Sequence, residues 1–182
     1  HGNGWELENK WTPIIKTLKN DIGCPICGFE TNKLVSLLQN PAHYDNDRYL
    51  YFVKFTKKDK NESFYKIGIN NNLNINKRYR TGAVESANLE LSVIDHIKLT
   101  NVEALFAELF VLTEYKEHKS YQKRLKDYGL EGATECFSKN VLSGKTLTDV
   151  VNDSKNNYKK LIEKLKVTEV DIKNLNNYLS KV

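Results

Sequence analysis

Three stretches in the middle of the chain combine apolar, aromatic and β-branched residues in the way that β-strands do. They are YLYFVKF (49–55), FYKIGI (64–69) and LELSVIDHIKL (89–99). The polar segment KKDKNES joins the first two, which predicts a β-hairpin with a seven-residue connection. We therefore predict a small three-stranded antiparallel sheet at the centre of an α+β fold.

Helical patterns precede and follow the predicted strands. Asn40-Pro41 ends the first helix, because the residue before a proline avoids the α region, and Asn101 is a suitable N-cap for a later helix. The predicted helices span 32–39, 76–80 (stopping at Thr81-Gly82), 102–119, 121–128, 146–166 and 169–180, the last capped by Thr168. We expect these helices to flank the sheet.

The helix that follows the third strand carries one acidic residue on its apolar side. At 100° per residue, Glu108 is flanked by Leu105 and Leu109. A carboxylate in such a place needs a partner, because burying it alone is expensive. Two interpretations stay open here: a structural ion pair with Arg78 or Lys66, and a metal ligand at the floor of a site.

Composition excludes several classes of protein. The chain has 182 residues, 40% of them hydrophobic, which is enough for a core. The longest apolar run, Tyr49 to Val53, has five residues, whereas a membrane span needs about 20. HGNGWELENK at the start has no apolar core, and three cysteines are too few for a disulfide framework. We therefore expect a soluble, cytoplasmic protein, and the absence of methionine predicts that its natural N-terminus is missing.

The positive charge is unevenly placed. Residues 1–45 carry 4 basic and 5 acidic side chains, residues 46–140 carry 16 and 13, and residues 141–182 carry 8 and 5. The net charge of +5 thus comes from the middle and the tail. We predict three parts with these boundaries: an N-terminal segment, a central domain and a helical tail.

Alternation along the predicted hairpin groups residues that carry chemistry. Tyr51 shares a strand face with Tyr49 and Val53, and Lys66 shares one with Gly68. A phenol, an amine and a bare glycine then line one cleft. Half-buried strand tyrosines and solvated strand lysines are common, so the hairpin alone also fits a purely structural role.

Taken together, the central blocks resemble the GIY-YIG nuclease superfamily, and most closely its phage and bacterial branch with K-I-G in the second half-motif. The blocks are YLYFVKF (49–55), YKIGI (65–69), Arg78 ten positions after Gly68, and Glu108. The segment Gly132-Ala-Thr-Glu-Cys-Phe-Ser138 is also similar to the G-x-T-E-x-F block found late in that branch. The resemblance covers roughly residues 48–140, with the blocks in the expected order.

The resemblance implies a role for each of four residues. It assigns Tyr51 as the general base or the group that orients the attacking water, and Lys66 to the place of the second tyrosine. It assigns Arg78 to the scissile phosphate and Glu108 to a divalent metal, Mg²⁺ or Mn²⁺. Since a tyrosine with a pKa near 10 is a poor base at pH 7, we expect Lys66 or the metal to lower the pKa of Tyr51.

Two positions depart from the family pattern. The first half-motif is Y-L-Y, with no glycine at Tyr49. Gly82 stands where a histidine often follows the arginine by one helical turn, which puts an additional acid–base group in doubt.

The N-terminal segment contains half of a zinc site. Cys24-Pro25-Ile26-Cys27-Gly28 has the spacing of a zinc knuckle, in which two thiolates chelate one ion. The segment resembles the zinc ribbons that accompany phage nucleases, which implies that His1 is the surviving end of a first knuckle. The alternative is that His1 is a vector remnant and the cysteines are metal-free, and His43 is a fallback ligand.

The tail contains two helical patterns around a polar turn, similar to the helix-turn-helix modules appended to mobile-element nucleases. This similarity implies phosphate contacts from Lys155, Lys159 and Lys160 and a base or sugar contact from Tyr158. A helical bundle with a solvated lysine face remains the alternative.

These observations predict a metal-dependent DNA endonuclease, site-directed and associated with a phage or mobile element of the homing type. Its expected partner is double-stranded DNA, which it binds as a monomer or a DNA-induced dimer, without a membrane. One alternative is a sequence-specific DNA-binding regulator that keeps the nuclease fold without cleavage. Another is a protein-interaction module in which Glu108 and Arg78 merely pair.

Overall fold

The computed structural model describes residues 29–59, 62–79, 81–120, 132–165 and 169–179. The strands are β1 (Asp47–Lys57), β2 (Ser63–Asn70), β3 (Leu89–Thr100) and β4 (Cys136–Phe137). The helices are α1 (Phe29–Leu38), α2 (Ile75–Arg78), α3 (Thr81–Ser86), α4 (Asn101–Glu114), α5 (Leu147–Leu165) and α6 (Glu169–Leu179), and short 3-10 turns lie at Pro41–His43, Lys116–His118 and Ala133–Glu135. None of the helices in these ranges is long and apolar enough to span a membrane.

The chain divides into two units. The larger comprises residues 42–162 and contains the sheet, and the smaller combines residues 1–41 with 163–182. Within the smaller unit, α1 packs against α6. The predicted divisions at 45/46 and 140/141 thus differ in place from the division by contacts, in which residues 141–162 belong with the sheet.

The sheet is antiparallel throughout, with the order β3-β1-β2-β4. The α+β class and the antiparallel sheet are therefore confirmed, and each of the three predicted strands is present. The predicted strand number is wrong, because a fourth strand of two residues pairs with β2 through Tyr65–Phe137 and Lys66–Cys136. Two residues are too few to show the alternation that reveals a strand in a sequence.

A β-bulge interrupts the pairing of β1 with β3. Asp95 lies opposite Phe52 and Val93 opposite Val53, which leaves Ile94 as the extra residue. An extra residue reverses the facing of everything that follows it, since strand side chains alternate between the two faces. The bulge thus divides β3 into two halves whose apolar side chains point to opposite faces of the sheet.

The two halves of β3 contact separate cores. Leu91 packs with the cluster around Tyr51, whereas Ile97 packs with the cluster around Leu50. At the bulge, one Asp95 carboxylate oxygen accepts a 2.8 Å hydrogen bond from the backbone N–H of Leu147. The bulge therefore also fixes the first residue of α5 against the sheet.

Helices cover both faces of the sheet. On one face, α4 and the first turns of α5 pack on Leu50, Phe52 and Ile67. On the other face, α2 and α3 pack on a cluster that includes Tyr51, Val53, Phe55, Phe64, Ile75, Tyr79, Val84 and Cys136. This second face is the one from which the predicted site residues of the hairpin project.

Three predicted helix boundaries are wrong. The N-cap of α4 is Thr100 and not Asn101, because Thr100 and Glu103 form a capping box. The helix ends at Glu114 and not near residue 119, since the backbone of His118 turns to accept a hydrogen bond from Ser138. Helix α3 begins where a stop at Thr81-Gly82 was expected. The predicted helix 121–128 and its end at Gly129, like the cap at Thr168, lie outside the described residues.

Candidate active site

Tyr51 and Gly68 form the centre of the candidate site. They are directly opposite each other in the pairing of β1 with β2, and Tyr51 is completely buried. The Tyr51 hydroxyl lies over the glycine so closely that a Cβ atom at position 68 would overlap it. The glycine of the K-I-G motif therefore makes room for the phenol, which gives this part of the motif a steric reason.

The Tyr51 hydroxyl has a protein partner. It lies 2.7 Å from the hydroxyl of Tyr79, and the two rings meet edge to face with centroids 6.2 Å apart. The Tyr79 ring also makes an edge-to-face contact with Phe55, at 5.3 Å between centroids. Two buried phenols thus satisfy each other inside an aromatic cluster, as buried hydroxyls must.

Arg78 immediately precedes Tyr79 and lies over the face of Tyr51. Its guanidinium carbon is 5.7 Å from the centre of the Tyr51 ring, within the range of a cation–π interaction. One guanidinium N–H donates to the carbonyl of Ile69 at 2.5 Å. The half-buried Arg78 side chain is therefore held beside the end of β2, next to the Tyr51 hydroxyl pair.

Lys66 is fully buried and paired with the closing segment 132–137. Its ammonium group lies 2.5 Å from a carboxylate oxygen of Glu135 and donates a 2.9 Å hydrogen bond to the carbonyl of Gly132. Gly132 has a φ of 76°, and a Cβ there would collide with the Lys66 ammonium. Both the left-handed backbone and the close approach therefore require a glycine at position 132.

The electrostatics around Tyr51 work in opposite directions. Burial is the largest influence and raises the pKa of Tyr51 above its ordinary value, while the positive charges of Lys66 and Arg78 act to lower it. The net direction is upward, so the expectation that Lys66 lowers the pKa of Tyr51 below the ordinary value is wrong for this arrangement. The reason is that the burial of Tyr51 outweighs the lowering effect of the Lys66 and Arg78 charges.

The other buried groups of the cluster keep their protons at neutral pH. Burial raises the pKa of Tyr79 well above its ordinary value, and the neighbouring Tyr51 adds to this. Burial acts to lower the pKa of Lys66, but the Glu135 carboxylate outweighs it and the pKa lies above the ordinary value. Burial raises the pKa of the Cys136 thiol to about 12. At pH 7 the cluster therefore contains an ammonium, a carboxylate and neutral phenols.

Glu108 is buried as the helical periodicity predicts, with 1% of its surface exposed. Glu108 has an interaction partner within the protein. Its helix, α4, packs through Ala107 and Val111 on the sheet face of Leu50. Tyr51, Lys66 and Gly68 project from the opposite face. The structure thus brings three of the four predicted catalytic residues, Tyr51, Lys66 and Arg78, together with Gly68 and Tyr79, whereas the helix of Glu108 covers the other face of the sheet.

The predicted zinc ligands lie partly inside and partly outside the described residues. Within the described ranges, no group of three or more His, Cys, Asp or Glu residues is arranged to hold a metal ion. Cys24, Cys27 and His1 lie outside the described residues. His43 lies in an exposed 3-10 turn, where one ring nitrogen is 3.1 Å from the amide nitrogen of Asn46.

The four residues predicted to contact DNA lie together on α5. The Lys155 ammonium is 2.7 Å from the carboxylate of Glu103, so it is engaged within the protein. Lys159 and Lys160 are exposed, and the Lys159 ammonium lies 5.9 Å from the centre of the Tyr158 ring. The structure therefore distinguishes Lys155 from the other two lysines.

Sequence reasoning missed the site roles of Tyr79 and Glu135. Glu135 was part of the recognised closing block, so a signal existed, but its spacing from Lys66 gave no hint of contact. Tyr79 stands next to Arg78 on a very short helix, where no periodicity shows which way its side chain points. Only the three-dimensional structure shows that both residues contact the site.

Comparisons with protein-family models, with curated proteins and with solved structures give no match to this chain.

Proposed function

We propose that the protein is a metal-dependent DNA endonuclease of the GIY-YIG type, in which Tyr51 and Arg78 act at the phosphodiester and Glu108, on the helix that covers the other face of the sheet, is the metal ligand. The observation that carries the proposal is the convergence of Tyr51, Gly68, Arg78 and the Lys66–Glu135 pair at one place. These residues come from separate blocks that resemble the same superfamily. Blocks that resemble a family by chance have no reason to pack around one hydroxyl.

The residue types suit phosphodiester hydrolysis. The Arg78 fork matches the geometry of a phosphate and offers positive charge where negative charge develops. Tyr51 takes the proton of the attacking water or orients that water, and Lys66 lies on the same sheet face. Glu108 would hold Mg²⁺ through a carboxylate oxygen, the kind of ligand that this ion prefers. When bound, the ion supplies Lewis acidity at the phosphate oxygen.

Target recognition is assigned to the flanking segments. We propose that Cys24, Cys27 and His1 belong to a zinc ribbon. Lys159 and Lys160 are proposed to contact DNA phosphates, and Tyr158 a base or sugar. The protein then acts on a chosen site, as nucleases of phages and mobile elements do. Zinc analysis of a chain extended upstream of His1 tests the ribbon, and the absence of zinc contradicts it.

A second function is favoured by one observation: Tyr51 and Lys66 are both completely buried, and each is already paired inside the protein. A closed network of this kind also suits a stable scaffold. The second candidate is therefore a sequence-specific DNA-binding regulator that keeps the fold without cleavage.

Cleavage of supercoiled plasmid in Mg²⁺ decides between the two. We expect the wild-type protein to cut. Two variants should each cut about 100-fold or more slowly: Glu108→Gln, which removes the charge and keeps the size of the side chain, and Arg78→Ala. This is the usual effect of removing a group that stabilises the transition state. Lys77→Ala and Glu85→Ala serve as matched controls, because both side chains are exposed and adjacent to the site. Both controls should cut at the wild-type rate.

Each outcome has a definite meaning once circular dichroism shows that the variants are folded. Undiminished cleavage by Glu108→Gln contradicts the assigned metal ligand. Absence of cleavage together with tight, salt-sensitive DNA binding favours the regulator. Absence of DNA affinity even at low salt favours the protein-interaction module.

A further inference from the structure

The hydroxyl groups of Tyr51 and Tyr79 share one hydrogen bond, and either hydroxyl could be its donor. Only one proton lies between two hydroxyl oxygens 2.7 Å apart, so one tyrosine donates and the other accepts. Both side chains are at least 98% buried. Water therefore cannot substitute easily for either partner.

The surroundings of the two hydroxyls are not equivalent. The Arg78 guanidinium lies over the Tyr51 ring, and both Arg78 and the Lys66 ammonium stabilise negative charge on the Tyr51 oxygen. Arg78 also acts to lower the pKa of Tyr79, but the Tyr79 ring packs edge to face on Phe55 in an apolar part of the cluster, and burial raises the pKa of Tyr79 well above its ordinary value. Negative charge is thus better tolerated on Tyr51, and Tyr79 is the natural holder of the shared proton.

The backbone holds Tyr79 firmly in this place. Tyr79 closes helix α2 and donates its backbone N–H to the carbonyl of Ile75 at 3.2 Å. Arg78 and Tyr79 are consecutive, so one short helix delivers a cation to the face of Tyr51 and a hydroxyl to its oxygen. A shift of this helix moves both groups together.

We propose that Tyr79 is a positioning residue that donates its hydroxyl proton to the Tyr51 oxygen and stabilises the Tyr51 phenolate. The role deepens the proposed nuclease function and rests on it, because Tyr51 is the base there. When the phenolate accepts the proton of the attacking water, Tyr79 keeps its own proton and remains the donor. No other group needs to change its protonation state.

Ionisation of Tyr51 can be followed without any cleavage. Protein labelled with ¹³C at the ζ carbon of tyrosine is titrated by NMR, and the Tyr51→Phe and Tyr79→Phe variants assign the two signals. In the wild-type protein, Tyr51 should ionise at a lower pH than Tyr79. Tyr79→Phe should raise the pKa of Tyr51 by about one to two units, the usual effect of losing one hydrogen bond to a charged group.

The control is Tyr65→Phe. Tyr65 stacks on Phe52 on the other face of the sheet, and its loss should leave the pKa of Tyr51 unchanged. The proposal is overturned by an unchanged or lower pKa of Tyr51 in folded Tyr79→Phe. Ionisation of Tyr79 before Tyr51 in the wild-type protein overturns it equally.

The kinetic arm separates this role from the nuclease proposal itself. If the wild-type protein cuts plasmid, its cleavage rate should increase with pH as Tyr51 ionises. Tyr79→Phe should move this increase to higher pH by the same amount as it raises the pKa of Tyr51. If the wild-type protein cuts nothing while the NMR shift appears, the nuclease proposal fails and the hydrogen-bond assignment stands.

Discussion

The Lys66 ammonium and the Glu135 carboxylate are 2.5 Å apart although 69 positions separate them in the sequence. Their side chains are 0% and 7% exposed, so the pair is nearly removed from water. The pair fastens the two-residue strand β4 to the hairpin and fixes Lys66 on the face of Tyr51. Its integrity is therefore a condition for the geometry of the whole site.

Removal of the carboxylate should be costly. We expect Glu135→Ala to lower the free energy of unfolding by about 3–5 kcal/mol, because the Lys66 charge stays buried without its partner. The measurement is equilibrium unfolding in urea. Asp47→Ala is the matched control, since Asp47 pairs with Lys98 on the surface at 2.7 Å, and its effect should be much smaller.

A double variant separates charge from packing. Replacing both members by apolar residues, as in Lys66→Met with Glu135→Leu, should recover much of the lost stability, because no charge is then buried alone. A Glu135→Ala protein that unfolds at the wild-type urea concentration would show that the ion pair does not hold the closing segment.

A methyl group at position 68 should disturb Tyr51. Gly68→Ala places a Cβ against the Tyr51 hydroxyl, and we expect a loss of about 1–3 kcal/mol in stability, as is usual for overpacking. Gly82→Ala is the matched control, because nothing lies within 4 Å of a Cβ there and the residue is in α3. That change should be neutral or raise stability by up to about 1 kcal/mol.

The clash has a specific partner, which allows a stricter test. Combining Gly68→Ala with Tyr51→Phe removes the hydroxyl that the new methyl group meets. The combined loss should be smaller than the sum of the two single losses. Strict additivity would mean that the loss comes from contact with the Tyr51 ring, which phenylalanine keeps, and not from contact with the hydroxyl.

Burial of Cys136 should make stability depend on alkaline pH. Its pKa rises from 9.0 to about 12 in the folded protein, so between these values the unfolded chain releases a proton that the folded protein keeps. The contribution of this group is complete below pH 9 and is lost as the pH rises, by about 1.4 kcal/mol per pH unit. The free energy of unfolding, measured in urea, should therefore fall more steeply with pH above pH 9 for the wild type than for Cys136→Ala.

The same thiol should resist labelling. In a Cys24→Ser, Cys27→Ser background, Cys136 is the only cysteine left. We expect a thiol reagent to modify it only at the rate of opening of the protein, and to react rapidly in urea. Rapid labelling of the folded protein would contradict the buried position of β4.

The lysines of α5 should differ in their contribution to DNA binding. Lys159→Ala and Lys160→Ala should each weaken binding and reduce the slope of log affinity against log salt by about one, as loss of a phosphate contact does. Lys155→Ala should leave the slope unchanged, since its ammonium is engaged by Glu103. Equal effects of all three changes would contradict this division.

Local pattern predicted much of the sheet and of the site. β1, β2 and β3 extend only slightly beyond the predicted limits, because alternation and β-branched composition express the two-faced environment of a strand. The burial of Glu108 followed equally from the 100° turn of a helix. Alternation grouped Tyr51 with Val53 and Lys66 with Gly68, and the observed register places both groups on one face.

Features created by distant contacts were beyond this reasoning. The apolar residues of β3 alternate evenly through Leu91 and Ile97, yet the bulge at Ile94 sends them to opposite faces. The neutralisation of Lys66 depends on Glu135, which no local periodicity connects to it. The predicted lowering of the Tyr51 pKa failed because the burial of Tyr51, which the packing of several elements creates, outweighs the Lys66 charge.

The late position of β4 also has a consequence for synthesis of the chain. The carbonyl that accepts a hydrogen bond from Lys66 belongs to Gly132, 66 positions further along the chain. The hairpin therefore leaves the ribosome long before segment 132–137, which pairs with it, has been synthesised. At translation rates of about 5–20 residues per second, this face stays open for several seconds. A nascent chain arrested before Gly132 should keep Lys66 in water, so the site is completed only when β4 has emerged.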